Sequence, residues 1–275
     1  MASNTPRADK AQLRDQARQK ALALRAAQAK SRKRNRIFAI SGLVVAVALL
    51  AVVFIWILSQ AKPAATALDS KHPLVGVTAP STALSNGSIP VGAKGTAGST
   101  SGAGAVTVAV YYDYMCPYCA KFEGANASAL DALVAAGQVT MEYHPVAFLD
   151  QSSQGSQYST RALQAVAYVA EADPAHFVAF HEALLAGQPA ENTTGLSDVQ
   201  ITTIAVQAGV PQAVADKITT GGAKFTKWAA AVTQQAVLNK VTGTPTVLIN
   251  GKQTASTLDL YTVGPLEAAI AKAKG

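Results

Sequence analysis

The sequence predicts a mixed α/β domain of order βαβ, helical insertion, ββα, carried behind an N-terminal transmembrane helix. Three observations predict it. A 23-residue stretch without charge, residues 37–59, follows a basic tail. Over 105–148 two short β-like runs flank one helix-like run. Over about 157–240 the chain reads as consecutive helices, and a hairpin signal follows at Asn250 and Gly251.

The first 36 residues hold 11 Lys or Arg and two Asp or Glu, a net +9 out of a whole-chain +7. The remainder is therefore at −2, and the basic character belongs to the tail. That argues against a nucleic-acid partner. The tail is rich in good helix formers, but its large apolar side chains are few: Leu13, Leu22 and Leu24. A solvated helix or a disordered arm is favoured over a membrane-lying one. As a helix, residues 37–59 would span about 34 Å, enough to cross a hydrocarbon core. Arg32, Lys33, Arg34 and Arg36 stand directly before it, whereas only Lys62 and Lys71 follow nearby. The positive-inside rule then puts residues 1–36 in the cytoplasm and the rest outside, with the protein anchored in the cell membrane. A cleaved signal peptide is the rival reading; its apolar region should be shorter, so an uncleaved single-pass anchor is favoured. Residues 60–104 are dominated by Ala, Gly, Ser, Thr and Pro and read as a flexible tether, with a short strand around 85–92 belonging to the domain beyond. The expected boundaries are thus 1–36 tail, 37–59 membrane helix, 60–84 tether and 85–275 domain.

Within the domain, VTVAVYY (106–112) is apolar, β-branched and aromatic, as a buried strand would be. AKFEGANASALDALVAAG follows, with Phe122, Leu130, Leu133 and Val134 on a helical pattern and Gly137 as its stop. VTMEYHPVAF (139–148) alternates apolar and polar residues. Strand, helix, strand predicts a right-handed crossover and a parallel pair. Five helical segments over 157–240 are punctuated by Pro174, Gly187, Gly209, Pro211, Gly221 and Gly222. Trp228, Phe225 and Val232 read as a core stripe; His176 and His181 read as helix surface. TPTVLIN and GKQTAS make a hairpin, and a last helix starts near Pro265.

Cys116 and Cys119 are the only cysteines, spaced C-x-x-C at the start of the first helix. There, free backbone N–H groups and the helix dipole favour an anion, so Cys116 is expected to be the reactive thiolate. Pro117 suits the first helical turn because its missing N–H costs nothing there. Cys119, one turn on, is expected to be the more buried, resolving thiol. The pair can cycle between dithiol and disulfide and exchange through a mixed disulfide. Three duller readings compete. Zinc would need about four ligands, and the four histidines show no ligand spacing, so no metal is expected. A structural disulfide around so small a loop would stabilise little. An inert buried pair is disfavoured at a helix start.

The run DYMCPYC (113–119) resembles the thioredoxin-fold disulfide oxidoreductases of the DsbA-like group, most of all membrane-anchored actinobacterial members. The resemblance extends over YHPVAFLD (143–150), YSTRA (158–162) and VTGTPTVLING (241–251). It implies a thioredoxin fold in which Thr244 and Pro245 form a cis-proline element, introduced by Gly243, against the cysteines. A cis bond fits chemically only before proline. The loop's backbone would pair with an extended substrate, and Tyr118 would stand on the substrate-facing surface. The implied function is extracytoplasmic oxidation of cysteine pairs in reduced exported proteins, by a monomer needing no cofactor beyond its own disulfide. A membrane quinone-linked protein would reoxidise it. An envelope reductase or isomerase, and a non-catalytic binding module, are the alternatives. Family members often carry a buried Glu near the end of the first strand; Val110 stands there instead. Asp113 either points to solvent or caps the turn, and no proton acceptor for Cys119 is assigned beyond water or Glu142.

Overall fold

The computed structural model describes residues 68–275. The expected tail and membrane helix, and residues 60–67 of the tether, lie outside the described residues. Among the described residues no helix is long and apolar enough to cross a membrane.

Five strands form one sheet in the order β1-β3-β2-β4-β5. β2 (Val106–Tyr112) is central, and its apolar, β-branched sequence matches a strand buried on both faces. It runs parallel to β3 (Val139–Pro145), with Val110 opposite Tyr143, and antiparallel to β4 (Thr246–Ile249). The crossover between β2 and β3 is α1 (Pro117–Ala135), the helix anticipated from the sequence. β1 (Ile89–Val91) adds antiparallel to β3, and β5 (Lys252–Gln253) to β4 around Asn250 and Gly251, both at positive φ. One sheet face packs Val108, Val110 and Tyr112 against Phe122 and Leu130 of α1 and Ile270 of α8 (Pro265–Lys274). On the other face Tyr111 joins Ala236, Val241 and Val146 in a small separate cluster.

The expected insertion is all helical: α2 (Tyr158–Ala172), α3 (Phe177–Ala186), α4 (Asp198–Gln207), α5 (Gln212–Ala215), α6 (Ile218–Gly222) and α7 (Thr226–Leu238). α2 is its axis. Leu163, Val166, Ala167, Val169 and Ala170 are fully buried, as a helix apolar on most of its circumference requires. α4 begins with a capping box, Ser197 and Gln200 bonding each other's backbone N–H. Trp228 and Phe225 are fully buried, as the stripe on α7 predicted. His181 is a correction: it is 0 % exposed, inside the core, because α3 turns that face onto α1 and the sheet.

Packing against the domain begins before residue 85, where the tether was expected to end. Leu74, Val77, Ala79 and Ala83 pack on the main core, and the Ser81 N–H donates to Glu171. The Gly- and Ser-rich run after β1 is also docked. Ala97 N–H donates to the Pro174 carbonyl, Gly98 N–H to that of Pro90, and Ser101 N–H to the Thr140 hydroxyl. Small residues serve close backbone approach here: a Cβ on Gly92 would stand 2.0 Å from the carbonyl carbon of Thr100.

Candidate active site

β2 ends at Tyr112 and α1 starts at Pro117, so the turn between them lies at the carboxyl edge of the sheet. Asp113 organises this turn. It is fully buried, and its carboxylate accepts from Met115 N–H (2.9 Å), Leu149 N–H (2.9 Å) and the Ser159 hydroxyl (2.7 Å). Of the two anticipated positions for Asp113, solvent is excluded and the turn cap holds through Met115 N–H; the ties to the β3 loop and to α2 come in addition. Burial raises its pKa, opposed by those three donors.

Cys116 is the N-cap of α1 and Pro117 its first residue, as the sequence predicted. The Cys116 carbonyl accepts from Cys119 N–H at 3.0 Å and from Gln188 Nε2 at 3.0 Å, the latter arriving from the loop after α3. Both cysteines are free thiols. Thr244 and Pro245 are joined by a cis peptide, and the Cys116 thiol donates to the Thr244 carbonyl at 3.2 Å. Gly243 shapes the same turn, its carbonyl accepting the Thr246 hydroxyl at 2.7 Å. Cys116, Thr244, Pro245 and Gly243 thus meet at one point, 128 residues apart along the chain between the first two.

The two thiols are driven apart. Cys116 is lowered to about 6, chiefly by the hydrogen bond from the Cys119 thiol, with help from the Thr244 side chain and the N–H groups of Cys119 and Tyr118, against a cost from burial. Cys119, 0 % exposed, is pushed far up by burial and then by its Cys116 neighbour. The result is one nucleophile and one proton-holding partner.

Tyr118 is 52 % exposed beside Cys116. Its ring lies 5.7 Å from that of Tyr261, in the loop before α8, and Lys121 Nζ lies 5.0 Å from its centroid. Asn126 Nδ2 donates to the Leu260 carbonyl and ties this loop to α1. Sequence reasoning missed Tyr261 and Gln188, since each meets the site only through tertiary packing. Glu142 is engaged elsewhere, taking hydrogen bonds from Asn86 and Ser88 and pairing with His144. Val110 is fully buried core.

Behind the cysteines lies a polar cluster. The Tyr114 hydroxyl is 2.8 Å from His181 Nδ1, and His181 Nε2 is 3.8 Å from Glu123 Oε2. Glu123 was legible only as the fourth residue after Cys119, on the helix face that also buries Phe122, Asn126 and Leu130.

A redox-poised C-x-x-C at a helix start, facing a cis-proline loop beside a four-helix-plus insertion, defines the class of thioredoxin-fold thiol-disulfide oxidoreductases. The chain belongs to the thioredoxin family, whose model matches residues 98–264, and within it is similar to the DsbA type. The oxidised DsbA of Mycobacterium tuberculosis is 30% identical, superimposes with a TM-score of 0.54, and is matched over 93% of its length and 68% of this chain. The thiol-disulfide oxidoreductase MdbA of Actinomyces oris, 22% identical, shares the fold with a TM-score of 0.58 over 98% of its length and 74% of this chain. Among curated proteins, the serine/threonine-protein kinase PknE of Mycobacterium tuberculosis is 35% identical over 107 residues, 38% of this chain. The chain spans only 19% of the length of that relative.

Proposed function

We propose that the protein is an extracytoplasmic oxidase of cysteine pairs in exported proteins. The carrying observation is the opposed pair of thiols, Cys116 held down to about 6 and Cys119 pushed up. A stabilised Cys116 thiolate favours the reduced enzyme, so the oxidised enzyme is a willing donor of its disulfide. A substrate thiolate attacks Cys116 Sγ, the Cys116–Cys119 bond breaks, and Cys119 leaves with the electron pair and takes a proton. The second substrate thiolate then attacks the substrate sulfur of the mixed disulfide. Cys116 departs as a thiolate, leaving substrate disulfide and enzyme dithiol. The Thr244 and Pro245 backbone offers an edge for an extended substrate, and Tyr118 an apolar surface beside it. The charge-free run 37–59 and the basic cluster before it support a single-pass anchor with the domain outside. A membrane quinone-linked protein would reoxidise the dithiol, the enzyme acting as a monomer with no metal and no cofactor besides its disulfide.

The test is the reduction potential together with a trap. A potential above about −200 mV is expected; a value near that of thioredoxin, about −270 mV, would reverse the assignment to a reductase. Cys119→Ser should accumulate mixed disulfides with exported proteins through Cys116. If Cys116→Ser sustains disulfide formation in exported proteins, the domain is a binding module instead.

A further inference from the structure

Gln188 reaches the redox site from the insertion. Its Nε2 donates to the Cys116 carbonyl at 3.0 Å. That carbonyl already accepts the first bonds of α1, from Cys119 N–H at 3.0 Å and Ala120 N–H at 3.4 Å. Helix formation therefore does not call for a third donor. Gln188 is half-buried, so water could serve its amide; the side chain is instead ordered onto this one oxygen, at a cost in rotamer freedom. Its own backbone is fixed from behind. Gly187 closes α3 with its N–H on the Ala183 carbonyl, and Gln188 N–H follows onto that of Leu185. Phe180, Leu184 and Leu185 seat α3 in the same core as Phe122 of α1. The donor thus stands on an element packed with the helix whose start it holds.

We propose that Gln188 is a positioning residue for the reactive thiol: its bond to the Cys116 carbonyl clamps the first turn of α1 and aims Cys116 Sγ at the Thr244 carbonyl. The inference rests on the thiol–disulfide reading above but not on its direction. Helix ends fray, and Cys116 is the N-cap, in extended backbone with ψ at 115°. Turning that peptide plane would swing the thiol out of its 3.2 Å contact with Thr244. It would also move the donors that hold the thiolate. The Cys119 thiol and the N–H groups of Cys119 and Tyr118 all belong to the first turn that Gln188 clamps. Gln188 therefore acts on the sulfur through the helix start. The titratable groups facing Cys116 are Cys119 on its own helix and Tyr261 from the loop before α8. Burial raises both, so neither carries charge at neutral pH. Lys121, over the Tyr118 ring, is a fixed charge. Titration of Cys116 thus reports the donors around its sulfur. The same tie joins the insertion to the redox pair: a shift of α3 reaches Cys116 through this side chain.

The test uses the full chain and two readouts. Gln188→Met keeps the size of the side chain and removes the donor. It should raise the Cys116 thiolate midpoint, read by ultraviolet absorbance, by about 0.5 pH unit or more. Its equilibrium with glutathione should move about two-fold or more toward the disulfide at neutral pH, and match the wild type near pH 5, where Cys116 is protonated in both proteins. Gln188→Lys, which keeps a donor of similar reach, should bring the midpoint back to the wild-type value or below it. In the reduced wild type, the Gln188 side-chain amide followed by nuclear magnetic resonance should titrate with the Cys116 midpoint. A Gln188→Met midpoint equal to that of the wild type overturns the proposal. So does a glutathione shift of the same size at every pH, the mark of a merely structural role. A Gln188 amide signal that stays flat while Cys116 titrates overturns it too, and decides the matter even if the variant does not fold. A wild-type protein that forms no ring between Cys116 and Cys119 overturns the oxidoreductase reading, and the amide titration still judges the clamp.

Discussion

Cys116 and Cys119 stand three residues apart, yet hydrogen bonding lowers one thiol while burial raises the other. Alkylation of the reduced protein should therefore label Cys116 first, with a rate that follows a midpoint near pH 6. Cys119→Ala removes the strongest stabiliser of that thiolate, and the midpoint should rise when followed by ultraviolet absorbance. The same shift couples to folding. Because the folded value lies below the ordinary thiol value of 9.0, the reduced fold gains stability that is complete above about pH 9 and lost as pH falls through about 6. Urea midpoints of reduced wild type and Cys116→Ser, compared from pH 5 to 9, should diverge as pH rises. Asp113→Ala would strand the N–H groups of Met115 and Leu149 and the Ser159 hydroxyl, costing about 3 kcal/mol in equilibrium unfolding. The cysteines were legible because their chemistry is local: a spacing and a helix start. Pro245 was legible as a cis-proline only through the family resemblance, since its ring permits a cis bond without requiring one. Asp113 and His181 were not, because their meaning depends on what packs over them from α2 and α1.

Among the secondary elements, the strands and helices of the βαβ unit followed from periodicity and stop signals, and so did the hairpin after the cis-proline turn. The helices of the insertion were equally readable from glycine and proline punctuation, but their mutual packing was not. α6 lies against α2 so closely that a Cβ on Gly222 would stand 2.9 Å from the Gln164 carbonyl oxygen. Gly222→Ala should push the two helices apart and cost about 1–3 kcal/mol, measured as a lowered denaturant midpoint. Tertiary closeness of this kind leaves no trace in a sequence except a small residue. The residues around β1 taught the opposite lesson. Their Ala, Gly, Ser and Thr content signals a tether, yet the same small side chains let the segment lie on β3 and the Pro174 turn.

For the molecule as a whole, the core extends upstream of the expected domain start, with Leu74 and Val77 packed against it. Hydrogen exchange should find the amides of Ala97, Gly98 and Ser101 protected, where a free tether would exchange at once. The overall α/β class and the identity of the redox pair were written in the order of elements and the cysteine spacing. The depth of the polar cluster behind Cys119 was not, since it is assembled from α1, α3 and the turn after β2. One feature of the sheet bears on how such a protein survives its own work. β1 has three residues and β5 two, so neither border offers a long row of unpaired backbone groups. A protein that meets unfolded chains risks being zipped onto them along its flanks. Stunted borders discourage that misassociation; under the proposed function they also leave the cis-proline turn as the inviting backbone, next to the reactive sulfur.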